Sequence, residues 1–275
     1  MTQLVSEKSL AYIFSSDNST NPINKSADGT IFSVQLDHPI SLPRAAYDCT
    51  LEVVSARCWN TVPNISAKLR NNNIRIITAN GTRNIVIADG LYSVGSLSEY
   101  IQNALVNLGE DRLTLYITGN FSTQQSVLNF GVVGTQVDFT IPNSVRGVLG
   151  FNARLAPVAP STIVGQTDSS DNIAQFNNIE NFLVKSDIVN SSIPTNNQFD
   201  QTIAYIAIKA NPGSQIISEP INPIRIDASN LKTVGRNYLT FRLTDQAGAP
   251  AETGEAYGLT IVIRWKEFAS PPQNY

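Results

Sequence analysis

Two stretches near the end of the chain decide its fold class: Tyr238-Leu239-Thr240-Phe241-Arg242-Leu243-Thr244 and Leu259-Thr260-Ile261-Val262-Ile263-Arg264-Trp265. In both, apolar and polar side chains alternate, which is the period of a strand with one buried face. The loop between them is too long for a tight hairpin turn but long enough to join antiparallel neighbours. The sequence therefore predicts a half-buried antiparallel sheet. Its predicted core residues are Leu239, Phe241, Leu243, Ile261, Ile263 and Trp265.

The same alternation occurs early in the chain. One strand is predicted from Thr30 to the break at His38-Pro39, and a longer one from Tyr47 through Trp59. Strands at both ends of a chain are what a jelly roll requires, because its two sheets interleave early and late strands. The predicted core residues of these early strands are Phe32, Val34, Leu36, Leu51 and Trp59.

The middle of the chain has a different period. Ser96 and Glu99 have the spacing of a capping box, and apolar residues from Leu97 to Leu108 recur at helical spacing. Gly109 stands where a left-handed C-terminal cap is expected. Short apolar runs on both sides of this helix predict strands, so the segment reads as a small α+β unit.

These patterns predict an all-β-dominated fold, a single jelly-roll β-sandwich with an inserted small α+β subdomain. We assign residues 30–69 and 152–268 to the jelly roll, 70–151 to the insertion and 269–275 to a C-terminal tail.

Residues 1–29 are mostly polar and are predicted to form a flexible arm. The arm has one apolar patch, in which Leu10, Tyr12, Ile13 and Phe14 are candidate partner-binding residues. An extended apolar segment of this kind can add to the edge of a sheet in another subunit. A strand in the sheet of its own chain is an equally good interpretation, and both stay open at this point.

The composition limits the choice of partners. Charged residues make up 15% of the 275 residues, against about 25% in ordinary soluble proteins, and the net charge is -3. Such a chain has no broad cationic surface for phosphate groups, so we expect protein partners and no direct nucleic-acid site. No apolar run reaches the roughly 18 residues of a membrane span, and the first thirty residues do not resemble a signal peptide. The two cysteines, Cys49 and Cys58, are expected to be thiols.

Residues capable of catalysis or metal binding are few. The only histidine, His38, stands before Pro39 with no nucleophile motif beside it. Asp168, Asp171 and Asp187 do not have the spacing of a calcium loop. We therefore predict a protein that is not an enzyme and has no catalytic, cofactor-binding or metal site.

Several blocks of the sequence resemble, in the same order, the penton proteins of virophages and Maverick/Polinton-type viruses. The segment Tyr238 to Gly248, with Gly254-Glu255 and Leu259 to Trp265, looks like the C-terminal hairpin of those proteins. Together the blocks span residues 30–266. The others are Cys58-Trp59-Asn60-Thr61-Val62-Pro63-Asn64-Ile65, Gly90-Leu91-Tyr92-Ser93, Val148-Leu149-Gly150-Phe151 and Ser186-Asp187-Ile188-Val189.

The resemblance implies a minor capsid protein, distantly like the adenovirus penton base, in which a jelly roll with an insertion forms a pentamer at the capsid vertex. It implies homopentamers, contacts with neighbouring major and minor capsid proteins, and a place in the virion after assembly inside the infected host cell. No small-molecule substrate is expected.

Three rival functions remain open. A carbohydrate- or receptor-binding jelly-roll module of a viral spike would need exposed stacking aromatic residues, and a jelly-roll glycosidase would need two facing carboxylates. A major capsid protein of the hexon type would need a longer chain with two jelly rolls. The candidate stacking residues are Tyr92, Tyr116, Phe199, Tyr205 and Tyr257.

Overall fold

A computed structural model describes residues 5–17, 23–177, 179–190 and 201–268. Strands far outnumber helices in it, which confirms the prediction of an all-β-dominated fold. The elements are, in chain order, β1 (Val5–Ser15), β2 (Ile23–Lys25), β3 (Ile31–Ile40), β4 (Tyr47–Trp59), β5 (Asn73–Thr78), β6 (Gly81–Val86), α1 (Val94–Asn107), β7 (Tyr116–Asn120), β8 (Gln125–Phe130), β9 (Gln136–Asp138), α2 (Arg146–Leu149), β10 (Leu155–Ala156), β11 (Gln166–Ser169), β12 (Asn181–Ser186), β13 (Thr202–Ala207), β14 (Gln215–Ser218), β15 (Ile226–Asp227), a 3₁₀ turn (Ser229–Lys232), β16 (Arg236–Asp245) and β17 (Gly258–Phe268).

The chain divides into two compact units. The terminal unit combines Met1–Thr61 with Ile179–Tyr275, and the central unit is Val62–Asn178. The predicted boundaries of the insertion, residues 70–151, are therefore too narrow. Asn64 donates to the carbonyl oxygen of Phe176, and β11 pairs with β8, so residues on both sides of the predicted boundaries bond within the central unit.

The terminal unit contains two antiparallel sheets. Sheet 1 has the strand order β1-β17-β4-β14, with β15 also paired to β4, and sheet 2 has the order β13-β12-β16-β3-β2. The sheets face each other, because Phe14 of β1 packs on Phe241 of β16 with 4.8 Å between ring centroids. Early and late strands are neighbours in both sheets, as a jelly roll requires, while the full jelly-roll topology stays a prediction.

The core of the terminal unit lies between these two sheets. Of the predicted core residues, all except Leu36 and Trp59 are buried. The buried ones are Phe32, Val34, Leu51, Leu239, Phe241, Leu243, Ile261, Ile263 and Trp265.

The prediction of a buried position is wrong for Trp59 and Leu36, which are half-buried. The pairing of β17 with β4 shifts at Val54, so one residue is inserted and the faces of β4 exchange after it. Cys58 then points into the core and Trp59 points away from it. Leu36 lies in a stretch of β3 that has no paired residue in β16, because the register of the two strands shifts there.

The prediction of a flexible arm is wrong for residues 5–15. They form β1, which pairs antiparallel with β17 along its whole length and without a register shift. Phe14 is buried and contributes to the core, so the interpretation as a strand of its own sheet is correct. Residues 1–4 and 18–22 of the predicted arm, and the predicted tail 269–275, lie outside the described residues.

The central unit has its own sheets and core. One sheet has the order β10-β9-β5-β6 and the other the order β11-β8-β7, and α1 packs mainly against β7. Its buried core includes Ile76, Leu97, Ile101 and Leu128.

The helix α1 begins earlier than predicted. Ser93 is its N-cap, since the Ser93 hydroxyl accepts from the Ser96 amide and the Ser96 hydroxyl accepts from the Ser93 amide. The predicted Ser96 and Glu99 capping box is therefore wrong, because Ser96 takes the other place in the box. Gly109 follows the helix with a φ of +80°, as the C-terminal prediction requires.

Candidate assembly surface

The outer face of sheet 1 carries a buried carboxylate. Leu51 and Val53 point into the core, so Glu52 between them lies on the opposite face, yet it is only 3% exposed. Arg225 donates from Nε to Oε1 at 2.9 Å, and Arg264 donates from Nε to Oε2 at 3.2 Å. These two charge-assisted hydrogen bonds offset the cost of burying the carboxylate. Glu52 thus serves to hold two arginines on this face.

A second ion pair on the same face joins Lys266 of β17 to Asp48 of β4. The hydrogen bond from Lys266 Nζ, reinforced by its charge, lowers the pKa of Asp48, and the same bond raises the pKa of Lys266. Both groups are therefore charged at neutral pH.

Two depressions, of about 110 and 410 Å³, lie on this face. Charged groups of both signs line each of them, whereas small-molecule pockets are mainly apolar. Such a surface suits polar contact with another protein. The smaller depression is lined by Glu7, Asp48, Thr50, Arg225, Arg264, Trp265 and Lys266, and the larger by Glu7, Glu52, Ile221, Asn222, Pro223, Arg225 and Arg264.

The predicted partner-binding residues of β1 divide between two faces of sheet 1. Tyr12 and Phe14 lie opposite Ile261 and Leu259 on the core side, and Phe14 is buried there. Ile13 lies on the outer face and is 80% exposed, and Leu10 is also exposed at the sheet edge. Of these four residues, Ile13 is thus the one with a largely exposed side chain, and Leu10 is 40% exposed.

The three aspartates that were considered above as calcium ligands form contacts within the protein. Arg154 binds Asp168 through both terminal nitrogens and binds Asp171 through Nε. Asp187 accepts from the backbone amide of Thr240 at 2.9 Å. Within the described ranges, no group of His, Cys, Asp and Glu side chains is placed to share a metal ion.

The candidate stacking aromatics do not form a common platform on the terminal unit. Tyr257 is fully buried and donates from its hydroxyl to the Thr30 carbonyl oxygen, whereas Tyr205 is exposed. In the central unit, Tyr92 packs edge-on against Tyr100. Phe199 lies outside the described residues.

One apolar feature of the terminal unit was not predicted from the sequence. Ile217 at the edge strand β14 is exposed, and so are Ile221, by 97%, and Ile224 in the segment that joins β14 to β15. Pro220 and Pro223 stand among them, and a proline cannot donate to a strand ladder. Isoleucines interspersed with prolines were the signal that could have revealed this segment.

No helix among the described residues is both long and apolar enough to cross a membrane.

The chain was compared with known families, curated proteins and solved structures. No protein-family model matches the chain, and no curated protein matches it in sequence. The crystal structure of the penton protein of mavirus is similar over 94% of this chain and 99% of that chain, with 10% sequence identity and a TM-score of 0.49. This degree of likeness is too low to transfer the fold or the function of that protein to this chain.

Proposed function

We propose that the chain is a non-enzymatic capsid protein, five copies of which form the penton at the vertices of an icosahedral virus particle. The observation that carries the proposal is the place of the penton-like sequence blocks in the fold. Residues 238–245 lie in β16 at the centre of sheet 2, and residues 259–265 lie in β17, an interior strand of sheet 1.

Three of the other blocks also lie at positions that define the two units. Residues 58–65 contain the end of β4 and the passage into the central unit, residues 90–93 end at the N-cap of α1, and residues 148–151 include the left-handed cap of α2. Local resemblance at structurally decisive positions, in a constant order, supports the same architecture and role.

The surface of the terminal unit supports assembly rather than catalysis. Large apolar side chains remain exposed at both edges of sheet 1, at Ile13 on β1 and at Ile217 on β14, and such exposed apolar groups are available for contact with another subunit. Glu52, which is only 3% exposed, is held between Arg225 and Arg264, and this arrangement orders two cations on the outer face of sheet 1.

In this role the protein performs no reaction and needs no cofactor. Cyclic symmetry lets one head-to-tail contact, repeated five times, close into a ring. Neighbouring major and minor capsid proteins then surround the ring at the vertex of the virion.

Sedimentation equilibrium and native mass spectrometry of the full chain test the proposal. A species with the mass of five chains, stable over a range of protein and salt concentrations, is the expected result. Monomers alone would contradict it, and trimers would favour the receptor-binding spike module instead.

A further inference from the structure

The edge of sheet 1 formed by β1 has free backbone groups. Ser16 donates its amide to the carbonyl oxygen of Tyr257, which continues the register of β1 with β17. Bonding and non-bonding residues alternate along an antiparallel pair. The amides and carbonyls of Glu7, Ser9, Ala11 and Ile13 therefore point away from β17, and no bond to them occurs among the described residues.

This edge lacks several of the features by which soluble proteins protect a free strand, and its charged residues, Glu7 and Lys8, stand only near its start. It is eleven residues long, its pairing contains no bulge, and it contains no proline. Ile13 stands on it with 80% of its surface exposed. An edge of this kind is a template for another strand.

The opposite edge of sheet 1 is formed by β14, and by the short strand β15 farther along β4. Asn60 donates its amide to the carbonyl oxygen of Ser214, which places Ser214 and Ile216 in bonding positions toward β4. The backbone groups of Gln215 and Ile217 therefore point outward. The Ile217 side chain is 63% exposed.

We propose that β1 of one copy of this chain pairs antiparallel with β14 of the next copy, so that sheet 1 continues around the ring. The inference rests on the proposed ring and names the surfaces that close it. Strand directions in the order β1-β17-β4-β14 alternate, so β1 and β14 run in opposite directions. A copy placed beside β14 in the same orientation therefore presents β1 antiparallel to it.

The faces of the two edges also agree. Residues that bond to each other across an antiparallel pair carry their side chains on the same face. Ile13 shares a face with Thr260 and Ile217 shares one with Arg57, both on the outer side of sheet 1. Pairing the edges with Ala11 opposite Ile217 and Ile13 opposite Gln215 brings Ile13 and Ile217 onto one face as diagonal neighbours, and apolar cross-strand contacts of this kind stabilise a sheet.

A head-to-tail contact covers both edges, whereas pairing of β1 with β1 of a second copy leaves β14 and Ile217 uncovered. Two different edges on opposite sides of one sheet are also what a closed ring needs, because each subunit must offer two unlike surfaces. The occupant of the β1 edge is therefore β14 of a second copy.

Cross-linking with a short bis-maleimide tests the pairing. Cys49 and Cys58 are buried, so added cysteines react selectively. The double variant Ile13→Cys with Ile217→Cys is expected to give a covalent ladder up to the pentamer. A mixture of the two single variants should give dimers, and neither single variant alone should cross-link.

A proline provides the second test. Ala11→Pro removes an amide that points outward, so the ladder with β17 keeps its hydrogen bonds. We expect the concentration at half-assembly to rise by about tenfold or more, at an unchanged melting temperature of the dissociated subunit. Ala11→Thr keeps the amide and is the matched control.

The outcomes separate this inference from the proposed function. If the parent chain forms pentamers that Ala11→Pro leaves intact and the double variant does not cross-link, the ring exists but closes through other surfaces. Cross-linked dimers of Ile13→Cys alone would also overturn the inference, in favour of β1 pairing with itself. A parent chain that never forms pentamers would refute the proposed function before any variant is compared.

Discussion

Phe241 lies in the core between the two sheets of the terminal unit. It has no exposed surface and packs on Phe14 of sheet 1 and on Phe32 of its own sheet, with ring centroids 4.8 and 5.0 Å away. Truncating a buried Phe to Ala costs roughly 3–5 kcal/mol, a large part of the roughly 5–15 kcal/mol that stabilises an ordinary protein.

Phe241→Ala is therefore expected to unfold the terminal unit or to lower its melting temperature strongly in calorimetry. Val234→Ala, in the same unit and at a side chain that is 56% exposed, is the control and should melt like the parent. Equal melting of both variants would mean that the register of β16 is wrong.

The buried thiol of Cys58 makes the stability of the fold depend on pH. Burial raises the pKa of its thiol from 9.0 to about 12, because the thiolate cannot be solvated inside the sandwich. The unfolded thiol ionises near 9.0 and the folded one does not, so the stability from the neutral thiol is complete below pH 9 and declines as pH rises toward 12.

Between pH 9 and 11, the free energy of unfolding of the parent should fall more steeply than that of Cys58→Ala, as measured by urea denaturation. At pH 8, Cys58 should react with thiol reagents only on unfolding. Parallel pH profiles for the two proteins would contradict the assignment.

At the scale of elements, the start of α1 depends on Ser93. Ser93→Ala removes the side chain that accepts from the Ser96 amide, and loss of such a cap costs about 1 kcal/mol. Glu99→Ala, an exposed change in the same helix, should alter the free energy of unfolding by less than about 0.5 kcal/mol. Chemical denaturation of both variants measures the difference. A larger loss of stability for Glu99→Ala than for Ser93→Ala would favour the capping box of Ser96 and Glu99 that the sequence predicted.

At the scale of the whole molecule, the central unit has what independent folding requires. It has two sheets, a capped helix and a buried core of its own, and its length lies within the roughly 50–250 residues typical of domains. A chain of residues 62–178 alone should therefore melt cooperatively and show dispersed amide resonances. Ile101→Ala, at a fully buried helix position, should weaken that transition, and an unfolded spectrum of the parent fragment would refute the prediction.

The sequence by itself determined the strands β4, β16 and β17 and the helix α1. The apolar residues of their buried faces recur at the spacing of a strand or a helix, and this spacing is visible among residues that are close in the chain. It also identified the apolar patch of β1, and left open whether that patch pairs within its own chain.

Only the tertiary structure decided the rest, because each remaining point depends on a partner far away in the chain. The shift at Val54 that turns Trp59 outward exists only in the pairing with β17, and the burial of Glu52 requires Arg225 and Arg264. The exposure of Ile217 follows from the strand order that leaves β14 at an edge. Local patterns encode period and propensity, whereas register, edges and ion pairs arise when distant strands meet.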